Sequence, residues 1–182
     1  MSSNTRYVAL LRAINVGGHV VKMDLLRKQF TRLGFTNVET FIASGNVLFD
    51  AAAAKPRDLE ERIAMELERV LGYPVATFVR SPNDLASVVE HEPFEAGTFD
   101  FTKHALYIGF LAGCPKPDVV RKIIALKTPM DEFRVHGREL YWGARGRFSD
   151  SPVSGATLER TLGMAMTMRS VTTVRKLVAK LV

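Results

Sequence analysis

The chain has 182 residues, 47% of them apolar and 24% charged, with a formal net charge of +6. That length suits one compact domain or two small ones, and no apolar run approaches the roughly 20 residues that span a bilayer. A membrane-spanning helix is therefore not expected, and a soluble cytoplasmic chain without a membrane partner is the expectation.

The N-terminus, MSSNTRYVAL, does not read as a secretory signal. One cysteine, Cys114, rules out an internal disulfide. With four scattered histidines it fits no spaced metal signature, so neither a metal nor a cofactor is expected. The positive charge is concentrated late: residues 134–182 hold nine basic and three acidic side chains. Such a bias suits an anionic partner, or simply a solvated basic surface.

In chain order, Arg6 to Ile14 reads as a strand with apolar side chains on both faces, which predicts cover on both sides. Gly17-Gly18 turns the chain. Met23 to Leu33 places Leu26, Phe30 and Leu33 on one helical stripe, and Gly34 stops it. Val38–Ile42 and Val47–Phe49 read as a hairpin around Ala43-Ser44-Gly45-Asn46. The alanines at 51–54 suit a first helical turn, followed by a helix over 58–71 and a strand over 74–80. Ser81-Pro82 opens a short connecting helix. The order then recurs: strand 104–111, helix 117–126, a hairpin of 132–136 with 139–142, helix 155–162, strand 164–168 and helix 171–181.

This repeated order predicts an α+β fold of two ferredoxin-like (βαββαβ) halves, 1–80 and 104–182, joined by a helical connector over 81–103. The doubly apolar first strands imply that the open sheet faces are covered, by the other half or by a second copy in a homodimer. One continuous sheet with helices on both sides is the competing architecture.

Several stretches carry a resemblance: YVALLRAINVGG at 7–18, LGF at 33–35, TFIASGNVLF at 40–49, HEPF at 91–94, RELYW at 138–142 and LERTLGMAMTMRSVTTVRKL at 158–177. Together they resemble a bacterial domain-of-unknown-function family, number 1697. Relative to its motifs, Ala13 stands where glycine is usual and Ser170 where asparagine is usual. The resemblance implies a duplicated ferredoxin-like fold and no particular activity.

Four constellations are candidates for a site. Arg12, Asn15, Gly17 and Gly18 end the first strand. Arginine offers a planar fork for phosphate or carboxylate, and a double glycine lets backbone N–H groups approach an anion before a helix. The plain alternative is a turn with a paired arginine. Asn46 starts the third strand, which in this topology neighbours the first, so Arg12, Asn15 and Asn46 converge at one edge. Arg169 and Ser170 lead the last helix, with Thr173 and Lys176 further along; this is an anion site at a helix N-terminus or a simple cap. Arg134, His136, Arg138, Tyr141, Trp142, Arg145, Arg147 and Phe148 interleave cations with aromatics, as nucleic-acid surfaces do, without an RNA-recognition signature.

The leading expectation is a cytoplasmic binding module for a small anionic ligand, built on Arg12, Asn15, Asn46 and Arg169. Nucleic-acid binding is the weaker alternative. An enzyme acting on a phosphorylated or carboxylated substrate would use His19, since no nucleophile or metal motif is present.

Overall fold

The computed structural model describes residues 4–15, 18–42 and 45–181. The elements are β1 (Asn4–Leu11), α1 (Met23–Arg32), β2 (Thr36–Thr40), β3 (Asn46–Ala52), α2 (Pro56–Leu71), β4 (Thr77–Arg80) and α3 (Pro82–Glu90). There follow β5 (Ala105–Leu111), α4 (Pro117–Ile124), β6 (Asp131–His136), β7 (Glu139–Ala144), α5 (Gly155–Leu162), β8 (Met166–Ser170) and α6 (Val171–Leu181). They build two separate antiparallel sheets, ordered β2-β3-β1-β4 and β6-β7-β5-β8. This is the expected α+β fold of two ferredoxin-like halves, and the single continuous sheet is ruled out. The chain forms two compact units, one running to Ser87 and including Lys176 onward, the other Val88–Arg175.

In the first unit the helices cover one sheet face. Leu26 and Phe30 of α1 and Leu59, Ile63 and Leu67 of α2 pack with Tyr7, Ala9, Leu11, Val47, Phe49 and Val79. Each such side chain, fully buried, contributes about 1.5–3 kcal/mol. The alternate residues Val8, Leu10, Leu48 and Phe78 are buried as well. In the second unit Ile123, Leu158 and Leu162 pack with Leu111, Phe133, Leu140 and Trp142. The Trp142 indole donates to buried Asp131 (2.8 Å), which satisfies its one polar atom. Again the alternate face, with Ile108, Phe110 and Tyr141, is dry.

Several boundaries differ from expectation, among them β2 (Thr36–Thr40 against 38–42) and β4 (Thr77–Arg80 against 74–80), and three have a clear physical reason. β1 stops at Leu11 rather than Ile14, because Ala13 and Asn15 take left-handed backbone at φ 60° and 58°. Ala51 and Ala52 extend β3 instead of opening a helix, since β1 is long enough to pair them with Thr5 and Asn4. β8 runs Met166–Ser170, so Arg169 and Ser170 belong to a strand; left-handed Gly163 closes α5 and delays the strand's start.

The junction of β1 and β3 is closely packed around a left-handed glycine. Gly45 has φ 79°, and a Cβ there would lie 3.0 Å from the Ile14 Cβ and 3.2 Å from the Leu11 carbonyl oxygen. Gly18 is also left-handed but has open space around it. Gly45→Ala is expected to cost about 2–4 kcal/mol, strain plus overpacking, and Gly18→Ala about 1–2 kcal/mol, strain alone. Urea denaturation of the two variants checks this; equal costs would show that Gly45 is not held by packing.

Candidate functional site

β1 carries its ladder as far as Leu10, opposite Asn46. Beyond it, the Leu11 N–H donates to the Gly45 carbonyl (2.7 Å) and the Arg12 N–H to the Ala76 carbonyl (2.9 Å). Arg12 is the first residue past the sheet, and its side chain is exposed. The chain then turns through left-handed Ala13 and Asn15. The Val21 N–H donates to Asn15 Oδ1 (2.7 Å), which closes the loop on itself. Ile14 and Val21 sink into the core and pin both ends. α1 starts at Met23 behind Lys22, with no side-chain cap. His19 stacks on Tyr73, ring centroids 3.9 Å apart. The Tyr73 hydroxyl is buried without a hydrogen-bond partner, and burial pushes its pKa up.

The hairpin facing this loop is held by Asn46, which is buried. Its Nδ2 donates to the Phe41 carbonyl and its own carbonyl accepts from the Phe41 N–H, both at 2.9 Å. Left-handed Ile42, at φ 56° and half-exposed, precedes it. A left-handed β-branched residue is a rare conformation, and such strain clusters at functional sites. Arg12, Asn15, Gly18 and Asn46 therefore share one end of the first sheet. Gly17 and Ser44 lie outside the described residues.

The late residues behave differently. Arg169 is buried in β8 and donates to Thr167 Oγ1 and the Met168 carbonyl, both at 2.8 Å. Burial pushes its pKa down to about 10, so it stays cationic at neutral pH. Ser170 Oγ accepts from the Thr173 N–H (3.2 Å), so the capping alternative describes this helix start. Lys176 is exposed and belongs to the first unit. Arg12 is exposed in one unit and Arg169 buried in the other, and the two occupy opposite environments.

Sequence reasoning overlooked Arg80, the counterpart of Arg169. Arg80 sits opposite Val8 on β1 as Arg169 sits opposite Ile108 on β5. It is buried, 3.6 Å from Glu60, and donates to the Val79 carbonyl (2.8 Å). Each arginine precedes a serine that caps the next helix: Ser81 Oγ accepts from the Asp84 N–H (3.2 Å). The signal was the repeated Arg-Ser-x-x-(Asp/Thr) at 80–84 and 169–173.

In the basic hairpin, Tyr141 and Trp142 are buried, so neither presents a face for stacking on a base. Arg134 and Arg145 converge on Glu132 (3.5 and 3.4 Å), joined by Lys127 (3.1 Å). Burial pushes the Glu132 carboxyl up, but Lys127, Arg145 and Arg134 together hold it below its ordinary value. The same arginines lie over Phe94 (5.5 Å) and Phe99 (4.3 Å). The His91 ring stacks on His136 at 4.3 Å.

A family model described as "Protein of unknown function (DUF1697)" matches residues 4–141. The chain belongs to this family. The usual glycine at position 13 agrees with the left-handed backbone found at Ala13. No curated protein sequence matches the chain. Among solved structures, the conserved bacterial protein SP0830 from Streptococcus pneumoniae is similar in fold, with a TM-score of 0.73 over 99% of this chain and 100% of that one, at 23% identity. None of these findings carries an activity. Among the described residues no helix is long and apolar enough to cross a membrane, and no group of three metal-ligating side chains occurs.

Burial first, and then the charge of His136, push the His91 pKa below the ordinary value. The unfolded chain then takes that proton more readily than the folded one. Stability contributed by neutral His91 is fully present above about pH 6.5, and is lost as pH falls from there to the lower folded-state pKa. His91→Phe keeps the ring stack and is expected to shrink the loss of stability between pH 7.5 and 5. Urea midpoints at the two pH values check this; an unchanged loss would exclude His91 as its source.

Proposed function

We propose that the chain is a binding module for a small anionic ligand, phosphate- or carboxylate-bearing, seated at the end of β1 with Arg12 as its anchor. One internal comparison carries this reading. The second half closes the same frame: the Leu111 N–H donates to the Arg138 carbonyl (2.9 Å) and the Ala112 N–H to the Ala165 carbonyl (3.3 Å). These match Leu11 with Gly45 and Arg12 with Ala76. There, five residues (112–116) lead from strand to helix, whereas the first half uses eleven (12–22). A five-residue link thus suffices for the frame. The longer one adds an exposed arginine, left-handed residues and His19 to a helix start that, in both halves, no side chain caps.

Uncapped N–H groups and the helix dipole favour an anion at that end. The matching topology and hydrogen bonds also support descent of the two halves from one duplicated unit. An exposed lone thiol, Cys114, suits the reducing cytoplasm.

Thermal-shift measurements with inorganic phosphate, sugar phosphates, nucleotides and di- and tricarboxylates test the reading. A ligand at a hundred times its Kd should add about 2.7 kcal/mol. Arg12→Ala should weaken that ligand at least about tenfold, as expected for loss of a charge-assisted pair. A shift retained in full by Arg12→Ala would overturn the assignment.

A further inference from the structure

The second unit holds a cleft of about 490 Å³, lined by the 89–101 segment together with Leu106 and Arg175. It is well within the size of small-molecule sites. We propose that this cleft takes a small organic cation, an ammonium or guanidinium carried on an apolar body. The inference is independent of the anion site at Arg12.

Charge points the same way. Between Arg80 and Lys103 the sequence has five carboxylates and no lysine or arginine, in a chain whose net charge is +6. Three of those carboxylates, Glu90, Glu92 and Glu95, line the cleft against a single cation, Arg175. The neighbouring His91 is uncharged at neutral pH, because burial holds its pKa low. The lining itself carries more carboxylates than cations, and Arg134 and Arg145, which lie over Phe94 and Phe99, are engaged by Glu132, so a cation is favoured over an anion at the exposed rim.

The aromatic lining supplies the second component. Phe94, Phe99 and Phe101 all face the cleft. Two of these rings already bind cations of this chain, Arg134 over Phe94 and Arg145 over Phe99, with Glu132 as the shared carboxylate. The cluster thus builds a ring, a cation and a carboxylate together twice from its own residues. Phe101 lies parallel to Phe99 at 5.4 Å and is 42% exposed, so a third ring remains open to solvent beside Glu92 and Glu95. An ammonium or guanidinium over that ring gains from its quadrupole.

The cleft is also preformed. Asp100 Oδ1 accepts from the Thr102 N–H (3.0 Å) and hydroxyl (2.6 Å), and the Asp100 N–H donates to His104 Nδ1 (3.1 Å). Phe99 rests on Gly143, where a Cβ would come within 2.6 Å of the ring. A fixed wall spares a ligand the cost of ordering it.

Calorimetric titration of the full chain with benzylamine and with agmatine tests the proposal, with hexanoate and inorganic phosphate as anionic controls. Both amines should bind and the anions should not displace them. The double variant Glu92→Gln/Glu95→Gln should weaken amine binding at least tenfold, and Phe101→Ala at least fivefold. Glu92, Glu95 and Phe101 are exposed, so an unchanged Tm shows that the fold is retained. Arg12→Ala should leave amine affinity unaltered, which separates this site from the anion site. Absence of amine binding at millimolar concentration, unchanged affinity in the double variant, or tighter binding of hexanoate than of benzylamine would each overturn it.

Discussion

β1 and β5 surrender both faces and both edges to the fold. β1 is hydrogen-bonded to β3 on one side and β4 on the other, and every side chain from Tyr7 to Leu11 is buried. Such a strand has no room for an unpaired charge, because an ionised group without a partner is prohibitively costly in a dry environment. Arg6 is tolerated because Asp50 stands opposite it in register and takes its guanidinium at 3.0 Å. The next position at which charge is free of this constraint is the first residue beyond the ladder. That residue is Arg12. The location of the candidate anion site thus follows from the dryness of the strand that leads to it.

The outer strands face a different requirement, since an edge leaves N–H groups unpaired. One glutamate on the second helix of each half meets it. Glu60 Oε1 accepts from the Val79 N–H (2.8 Å), and Glu159 Oε1 from the Met166 N–H (2.9 Å). Arg80 and Arg169 are buried on these same edge strands. Removing one partner of a buried charged pair typically costs about 3–5 kcal/mol. Arg169 donates to Thr167 and to a backbone carbonyl within its own strand. It resembles a ligand-binding arginine in sequence because it precedes a capped helix, which is the arrangement anion sites also use.

Much of this fold was legible because the patterns were local. Leu26 with Phe30, and Leu59 with Ile63 and Leu67, repeat at helical spacing and lie on buried stripes. The final helix, residues 171–181, has the bounds that its valine and leucine stripe implied. The pairing of β1 with β3, which sets Leu10 opposite Asn46, was legible from topology, because a ferredoxin-like unit places its first and third strands side by side. What was not legible depended on contacts distant in sequence. The alanines at 51 and 52 are strand because of Thr5 and Asn4, nearly fifty residues away. The loop over 92–102 reads as unpatterned, yet Phe94 and Phe99 are held by Arg134 and Arg145 across a gap of about forty residues. No helical or strand period encodes such a pairing.

The two halves act as controls for each other. Shared features, including the strand order, the edge glutamates, the buried arginines and the serine-capped helices, are what the frame requires. Features present in one half alone are not demanded by it. In the first half the additional feature is the eleven-residue loop after β1, which brings an exposed arginine and left-handed backbone at Ala13 and Asn15. In the second it is the acidic, phenylalanine-rich segment that precedes β5. The additions differ in place and in the charge they present. A fold duplicated for stability alone would have no reason to elaborate its copies in opposite electrostatic senses. Two ligands of opposite charge, one at each site, would account for it.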